Sequence, residues 1–157
     1  MNYTIREIRK NEYDLLNDFL YEAIFIPEGV EPPPKNIIQQ PELQVYVSDF
    51  GKKDDFALLA DVNGTVVGAV WARIMDDYGH IAADIPSLAI AVLKEYRASG
   101  IGTALMRRML ILLKKEGYQK VSLSVQKENY AVRMYLKVGF TVISENEEEY
   151  IMVCSLI

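Results

Sequence analysis

The stretch Leu88–Thr103, LAIAVLKEYRASGIGT, decides how this chain is read. An apolar strand runs into a short polar turn, then Gly100 and Gly102, then an amphipathic helix. Two glycines at a helix start let backbone approach a ligand without Cβ obstruction. The free N–H groups of a first helical turn and the positive end of the helix dipole make an anion site. Arg97 stands just before the loop and supplies a cation beside it. Two named phosphate motifs fail here. No G-x-x-x-x-G-K-[ST] string exists for a Walker A loop. The dinucleotide fingerprint needs a small sixth residue, but Gly100-Ile101-Gly102-Thr103-Ala104-Leu105 ends in leucine. The strand also ends too far ahead of Gly100 for that motif's tight turn, which disfavours a nucleotide-dependent oxidoreductase. By themselves the glycines suit a phosphate cradle and a plain strand-to-helix turn equally.

Working outward, the helix is predicted over Gly100–Glu116, with Ile101, Leu105, Met109 and Leu112 inward and Gly117 closing it. The strand before it is predicted over Asp84–Leu93, with Pro86 at its start or at a bulge. Downstream, Val121–Val125 alternates cleanly, Asn129–Val138 is a short helix ended by Gly139, and Phe140–Ser144 and Tyr150–Ser155 are strands around an acidic turn. Upstream, Asp55–Asp61 and Thr65–Ile74 flank Val62-Asn63-Gly64, a strong hairpin signal. Tyr3–Ile8 is an opening strand. Lys10–Ile26 carries helical spacing with Asn11 as its N-cap, and Ile37–Phe50 is a second, less regular helix. Pro27-Glu28-Gly29 and Pro32-Pro33-Pro34 keep the chain extended between them. Strands and helices alternate, so an α/β or α+β sandwich on a mixed sheet is expected.

Composition bounds the function. The 157 residues, half of them apolar, predict a single domain over 1–157 with its own core. One cysteine, Cys154, excludes an intrachain disulfide, and one histidine, His80, excludes a multi-histidine metal site. The net charge of −5 argues against a general nucleic-acid binder. Met1–Glu12 has no apolar targeting region, and no apolar run approaches the roughly 20 residues a bilayer needs. A cytoplasmic, metal-free protein without a membrane partner is the expectation. Trp71 reads as core and Cys154 as a buried, inert thiol.

Arg97-Ala98-Ser99-Gly100-Ile101-Gly102 matches [RQ]-x-x-G-x-[GA], the coenzyme A pyrophosphate signature of the GNAT superfamily of N-acetyltransferases, and the chain resembles that family. Lys94 stands where the family's approach to the loop usually has proline. A second block, Asn129-Tyr130-Ala131-Val132-Arg133-Met134-Tyr135-Leu136-Lys137-Val138-Gly139-Phe140, is similar to the family's N-x-A…LY-x-K-x-GF helix. The likeness covers about Ile85–Ile143, while the N-terminal third matches in outline. It implies a central mixed, mostly antiparallel sheet of about six or seven strands flanked by about four helices.

The resemblance implies acetyl transfer from acetyl-CoA to an amine in a ternary complex, without a metal. Arg97, Ala98, Ser99, Gly100, Ile101, Gly102 and Thr103 would hold the pyrophosphate. Ile90, Ala91 and Val92 would pair with the pantetheine arm, Asn129 would contact it, and Tyr135 would lie near the sulfur. A backbone N–H near Val92–Leu93 would stabilise the oxyanion. Tyr135 suits a general acid, since a thiolate of pKa about 8.5 lies only about 2 kcal/mol below a phenol of about 10. An amine of pKa near 10.4 must lose a proton before it attacks, and Asp84, Glu28 and His80 are the candidate bases. The acceptor is a small-molecule amine, a protein N-terminus or a lysine, and the negative charge mildly favours a cationic one. Homodimers are common in the family. A non-catalytic acyl-CoA-binding module of the same fold is the rival.

Overall fold

Asn63 and Gly64 both take positive φ, 51° and 89°, and turn the chain tightly between two strands. The Asp61 carboxylate accepts the Gly64 N–H at 2.7 Å and fixes the turn. The computed structural model describes residues 2–157. Its strands are β1 (Thr4–Glu7), β2 (Phe56–Val62), β3 (Thr65–Arg73), β4 (Ser87–Val92), β5 (Lys120–Gln126), β6 (Phe140–Glu145) and β7 (Glu149–Ser155). The helices are α1 (Leu15–Ala23), α2 (Pro41–Gln44), α3 (Ile101–Lys115) and α4 (Ala131–Val138). The seven strands form one sheet in the order β1-β2-β3-β4-β5-β7-β6. Only β4 and β5 pair in parallel; their neighbours are antiparallel. This is the mixed, mostly antiparallel sheet with four helices that the family resemblance implied.

Side chains alternate across the strands and build a core on each face. One core joins Leu58, Val70, Leu123 and Met152 to α3 and to Tyr135 and Phe140. The other joins Leu59, Ala69 and Trp71 to Leu16, Phe19 and Leu20 of α1 and to Tyr46. Trp71 and Cys154 are buried as expected. No helix among the described residues is long and apolar enough to cross a membrane.

The larger departures from the sequence expectation each have a local reason. The first helix covers only Leu15–Ala23, because Lys10–Glu12 tightens into a separate 3₁₀ turn. The Glu12 carboxylate accepts the Arg9 N–H there, so Asn11 is no helix cap. Ile24 then turns extended, which ends α1. The helix expected over Ile37–Phe50 shrinks to the single turn α2, preceded by a 3₁₀ turn over Lys35–Gln39. Pro41 restarts the chain as a first helical residue. Beyond α2, the carbonyls of Val45 and Ser48 accept from the Arg73 guanidinium at 3.2 and 2.9 Å. β4 begins at Ser87, not Asp84, because Pro86 has no N–H for a ladder. In α3, Leu113 occupies the buried position expected of Leu112, which is half-buried.

Candidate active site

β4 and β5 meet at one end and then part. The Ser122 N–H donates to Pro86 O at 3.0 Å, and Ser87 pairs with Ser122 as the one bridge between the strands. On the other side β4 pairs with β3 along its whole length. Backbone groups of alternate residues point to opposite neighbours in an antiparallel pair. Leu93 N–H donates to Val67 O at 2.8 Å, so Ala89 and Ala91 also face β3. Ile90 and Val92 therefore turn their backbone groups toward the gap beside β5. A groove of about 980 Å³ runs through this gap, lined by Leu88–Val92, Leu123–Gln126 and the turn before α3.

That turn is shaped for close backbone approach. Gly100 caps α3 at φ 88°, and Ala98 is also left-handed at φ 58°. A non-glycine residue there costs roughly 1–2 kcal/mol. The first helical bond runs from Ala104 N–H to Gly100 O at 3.0 Å. The amides of Ile101, Gly102 and Thr103 consequently have no partner within the helix. A Cβ on Gly102 would meet only Val92 Cγ2 at 3.8 Å and Met134 Cε at 3.9 Å, which is ordinary contact. Nothing inside the protein requires glycine at 102; its missing side chain leaves the groove wall bare.

Most of the expected coenzyme residues come together here. Ile90, Ala91, Val92, Arg97, Ala98, Gly100, Gly102, Thr103 and Asn129 all line the groove. Ser99 and Ile101 do not: the Ser99 hydroxyl donates to Tyr96 O, and the Ile101 side chain is buried in the core. Arg97 folds back over its own turn. Its Nε donates to Val92 O at 2.9 Å, and its guanidinium lies 3.6 Å from the Glu22 carboxylate. Asn129 holds the start of α4, its Oδ1 accepting the Ala131 N–H at 2.9 Å.

Tyr135 lines the groove from α4, is only 7% exposed, and tilts against Phe140 with ring centroids 6.0 Å apart. Burial alone pushes its phenol above the ordinary tyrosine range. The candidate bases are placed elsewhere. Asp84 and Glu28 are exposed and outside the groove lining, Asp84 because the strand starts beyond Pro86. His80 is half-buried, also outside the lining, and its buried Nδ1 has no hydrogen-bond partner.

A polar cluster that the sequence did not single out sits where the strands part. Ser87 Oγ donates to Asp77 Oδ1 at 2.7 Å. The Tyr46 hydroxyl faces the Asp77 carboxyl and the Ser124 hydroxyl. Burial is the main cause that holds both the Asp77 carboxyl and the Tyr46 phenol above their usual ranges. The alternation Val121-Ser122-Leu123-Ser124-Val125 was the available signal, since two serines mark a polar face on an otherwise apolar strand.

A family model described as the acetyltransferase (GNAT) family matches residues 13–140. The chain belongs to the GNAT family. It is 31% identical over 129 residues to a probable N-acetyltransferase, san, of Drosophila melanogaster, covering 74% of this chain and 69% of that protein. It is 33% identical over 115 residues to an N-alpha-acetyltransferase of Sulfurisphaera tokodaii, covering 62% of this chain and 68% of that one. Among solved structures, the PaiA N-acetyltransferase of Thermoplasma acidophilum in complex with coenzyme A superposes with a TM-score of 0.70 at 22% identity. That alignment covers 99% of each chain and shows that the GNAT fold is shared throughout. Membership in the GNAT family carries its general chemistry, acetyl-CoA-dependent acetyl transfer.

Proposed function

We propose that this chain transfers an acetyl group from acetyl-CoA to a primary amine, by direct attack of the amine within a ternary complex. The observation that carries the proposal is the parted β4–β5 edge. Ile90 offers its backbone N–H and C=O and Val92 its N–H to an extended donor, the Val92 carbonyl being held by Arg97 Nε, and the Gly100–Thr103 turn presents free amides at its end. Coenzyme A fits that pair of features, a pantetheine chain along the strand and a pyrophosphate at the helix start. The coenzyme-bound Thermoplasma acidophilum structure supports the same donor.

The chain's own groups divide the chemistry. The oxyanion donor is the Val92 N–H, because the Leu93 N–H is already bonded to Val67 O. Tyr135 keeps its proton through burial and donates a hydrogen bond to the leaving thiolate. The dry surroundings that raise the phenol also raise a thiol, so their balance stays close to the few kcal/mol seen in water. The Arg97–Glu22 contact is half-exposed and yields readily to an incoming phosphate. The relatives named N-acetyltransferase and N-alpha-acetyltransferase support an amine acceptor, either a small molecule or a protein N-terminus or lysine.

The first test is the melting temperature with acetyl-CoA, against NAD and ATP. Ligand at about 100 times its dissociation constant adds roughly 2.7 kcal/mol, several degrees for a domain of this size. A shift with acetyl-CoA alone supports the donor. A shift with NAD or ATP instead rejects it. Acetylation of an amine panel then separates an enzyme from a binding module.

A further inference from the structure

We infer that the acceptor amine gives up its proton to Asp77 through the Tyr46 hydroxyl, at the point where β4 and β5 part; this rests on the acetyl-transfer reading. Tyr46 lines the groove, and its hydroxyl faces both the Asp77 carboxyl and Ser124. Asp77 is held from behind by Ser87 Oγ at 2.7 Å. The cluster is built, not incidental. Trp71 Nε1 donates to Tyr46 O at 3.0 Å, and Arg73 donates to Val45 O and Ser48 O, so β3 clamps the backbone on each side of Tyr46. The bend carrying Asp77 is seated equally tightly. Ser122 Oγ donates to Gly79 O at 2.7 Å, and a Cβ on Gly79 would lie 3.0 Å from Ser124 N.

The placement suits the two proton movements that the reaction needs. Tyr135 packs in the core on one face of the sheet, Tyr46 in the core on the other, with the parted strands between them. The leaving thiolate and the attacking amine are thus served from opposite sides. Two carboxylates line the groove itself. Glu22 is paired with Arg97, and Glu149 starts β7. The titratable groups around Asp77 are Tyr46, which it faces, and the exposed Asp76 with Tyr78 and His80 on its own bend.

The steps balance. An ammonium N–H proton passes to Tyr46 Oη while the Tyr46 proton passes to an Asp77 carboxylate oxygen. The neutral amine attacks the thioester carbonyl; the C–N bond forms and the C–S bond breaks. The sulfur leaves with the electron pair and takes the Tyr135 proton, and the second nitrogen proton restores the Tyr135 hydroxyl. Asp77 returns its proton to water, so the products are amide, coenzyme A thiol and one proton. Tyr46, kept neutral by burial, is the conduit, and Asp77, kept more basic than a surface carboxylate, is the acceptor.

The experiment compares the full chain with Tyr46→Phe, Asp77→Asn and Glu149→Gln. Turnover is measured from pH 6.5 to 10.5 at saturating acetyl-CoA. The acceptor is whichever of trialanine carboxamide, N-acetyl-lysine carboxamide or spermidine the wild type acetylates fastest. Tyr46→Phe and Asp77→Asn are expected to lose about 100-fold or more at pH 6.5. They should regain near wild-type rates where the free amine is already neutral. A purely structural role would lower both ends of the profile alike. Tyr46→Phe keeps the buried ring and the carbonyl that Trp71 uses, so it remains informative if Asp77→Asn does not fold. An equal loss at every pH, no loss, or a pH-dependent loss in Glu149→Gln alone overturns the relay and leaves acetyl transfer standing. A wild type that acetylates none of the three amines overturns both readings, and acetyl-CoA binding by calorimetry then shows whether the donor site survives.

Discussion

Ser87 on β4 stands opposite Ser122 on β5 in the one bridge that joins these strands. Everything beyond that bridge on the open side of β4 lacks a strand partner. Backbone groups without partners exchange their hydrogens fast. The amides of Ile90 and Val92 are expected to exchange faster than those of Ala89 and Ala91, which face β3. Acetyl-CoA should slow Ile90 and Val92 selectively. Hydrogen exchange resolved by residue checks this, and equal protection along β4 in the free protein would contradict the geometry.

The two glycines of the turn should respond oppositely to alanine. Gly100 sits at φ 88°, so Gly100→Ala is expected to lose roughly 1–2 kcal/mol of stability. Gly102 is helical and has room for a methyl group, so Gly102→Ala should be neutral or up to about 1 kcal/mol more stable. The signature itself admits alanine at this position, so Gly102→Ala should bind acetyl-CoA within a few-fold of the wild type. Urea unfolding and calorimetric titration of both variants separate the two effects.

Tyr135→Phe removes one hydroxyl from a well-packed ring. Turnover should fall far more than acetyl-CoA affinity, because the lost hydrogen bond matters most once the thiolate forms. Stability should change little, since the Tyr135 hydroxyl bonds no other group among the described residues. Steady-state kinetics on a verified acceptor, beside a binding titration, give the split. An unchanged turnover rejects the acid role.

Arg73 and Asp55 form a buried ion pair at 3.1 Å, with Phe50 lying over the guanidinium. Removing one partner strands the other charge. Arg73→Met is expected to cost about 3–5 kcal/mol in urea unfolding. It also releases the carbonyls of Val45 and Ser48, so the variant should lose the fixed position of Tyr46 and with it turnover.

Glu12 supplies a pH test. Its two hydrogen bonds to Arg6, each 2.8 Å, hold its carboxyl down to about 2 against an ordinary 4.5. A depressed folded pKa stabilises the fold above the unfolded value and ceases to do so as pH falls through the folded one. The stability gap between wild type and Glu12→Gln should therefore be full at pH 7, narrow below about 4.5 and close near 2. Denaturant midpoints at pH 7 and pH 3 measure it.

The second half of the chain was legible because local chemistry dictates it. Gly100, Gly117 and Gly139 all take positive φ at helix ends, and the serine–aliphatic alternation of β5 admits one register. The first half was less so. Its helical spacing around Tyr13 and Val45 is real, but tertiary bonds from Arg6 and Arg73 divert the residues that would have extended the helices. The donor side of the groove was visible as a motif. Tyr46, Asp77, Ser87 and Ser124 come from four separate segments, and only the folded sheet shows that they meet.

The sheet divides its labour between two independent cores. The donor turn and Tyr135 belong with α3 and α4 on one face, while α1, α2 and Tyr46 line the other. Mutations on the second face reach the coenzyme side of the scaffold mainly through the half-exposed Glu22–Arg97 contact and through Ala91 of β4. Such a chain can acquire a new acceptor by drift in its N-terminal half alone, without surrendering its donor.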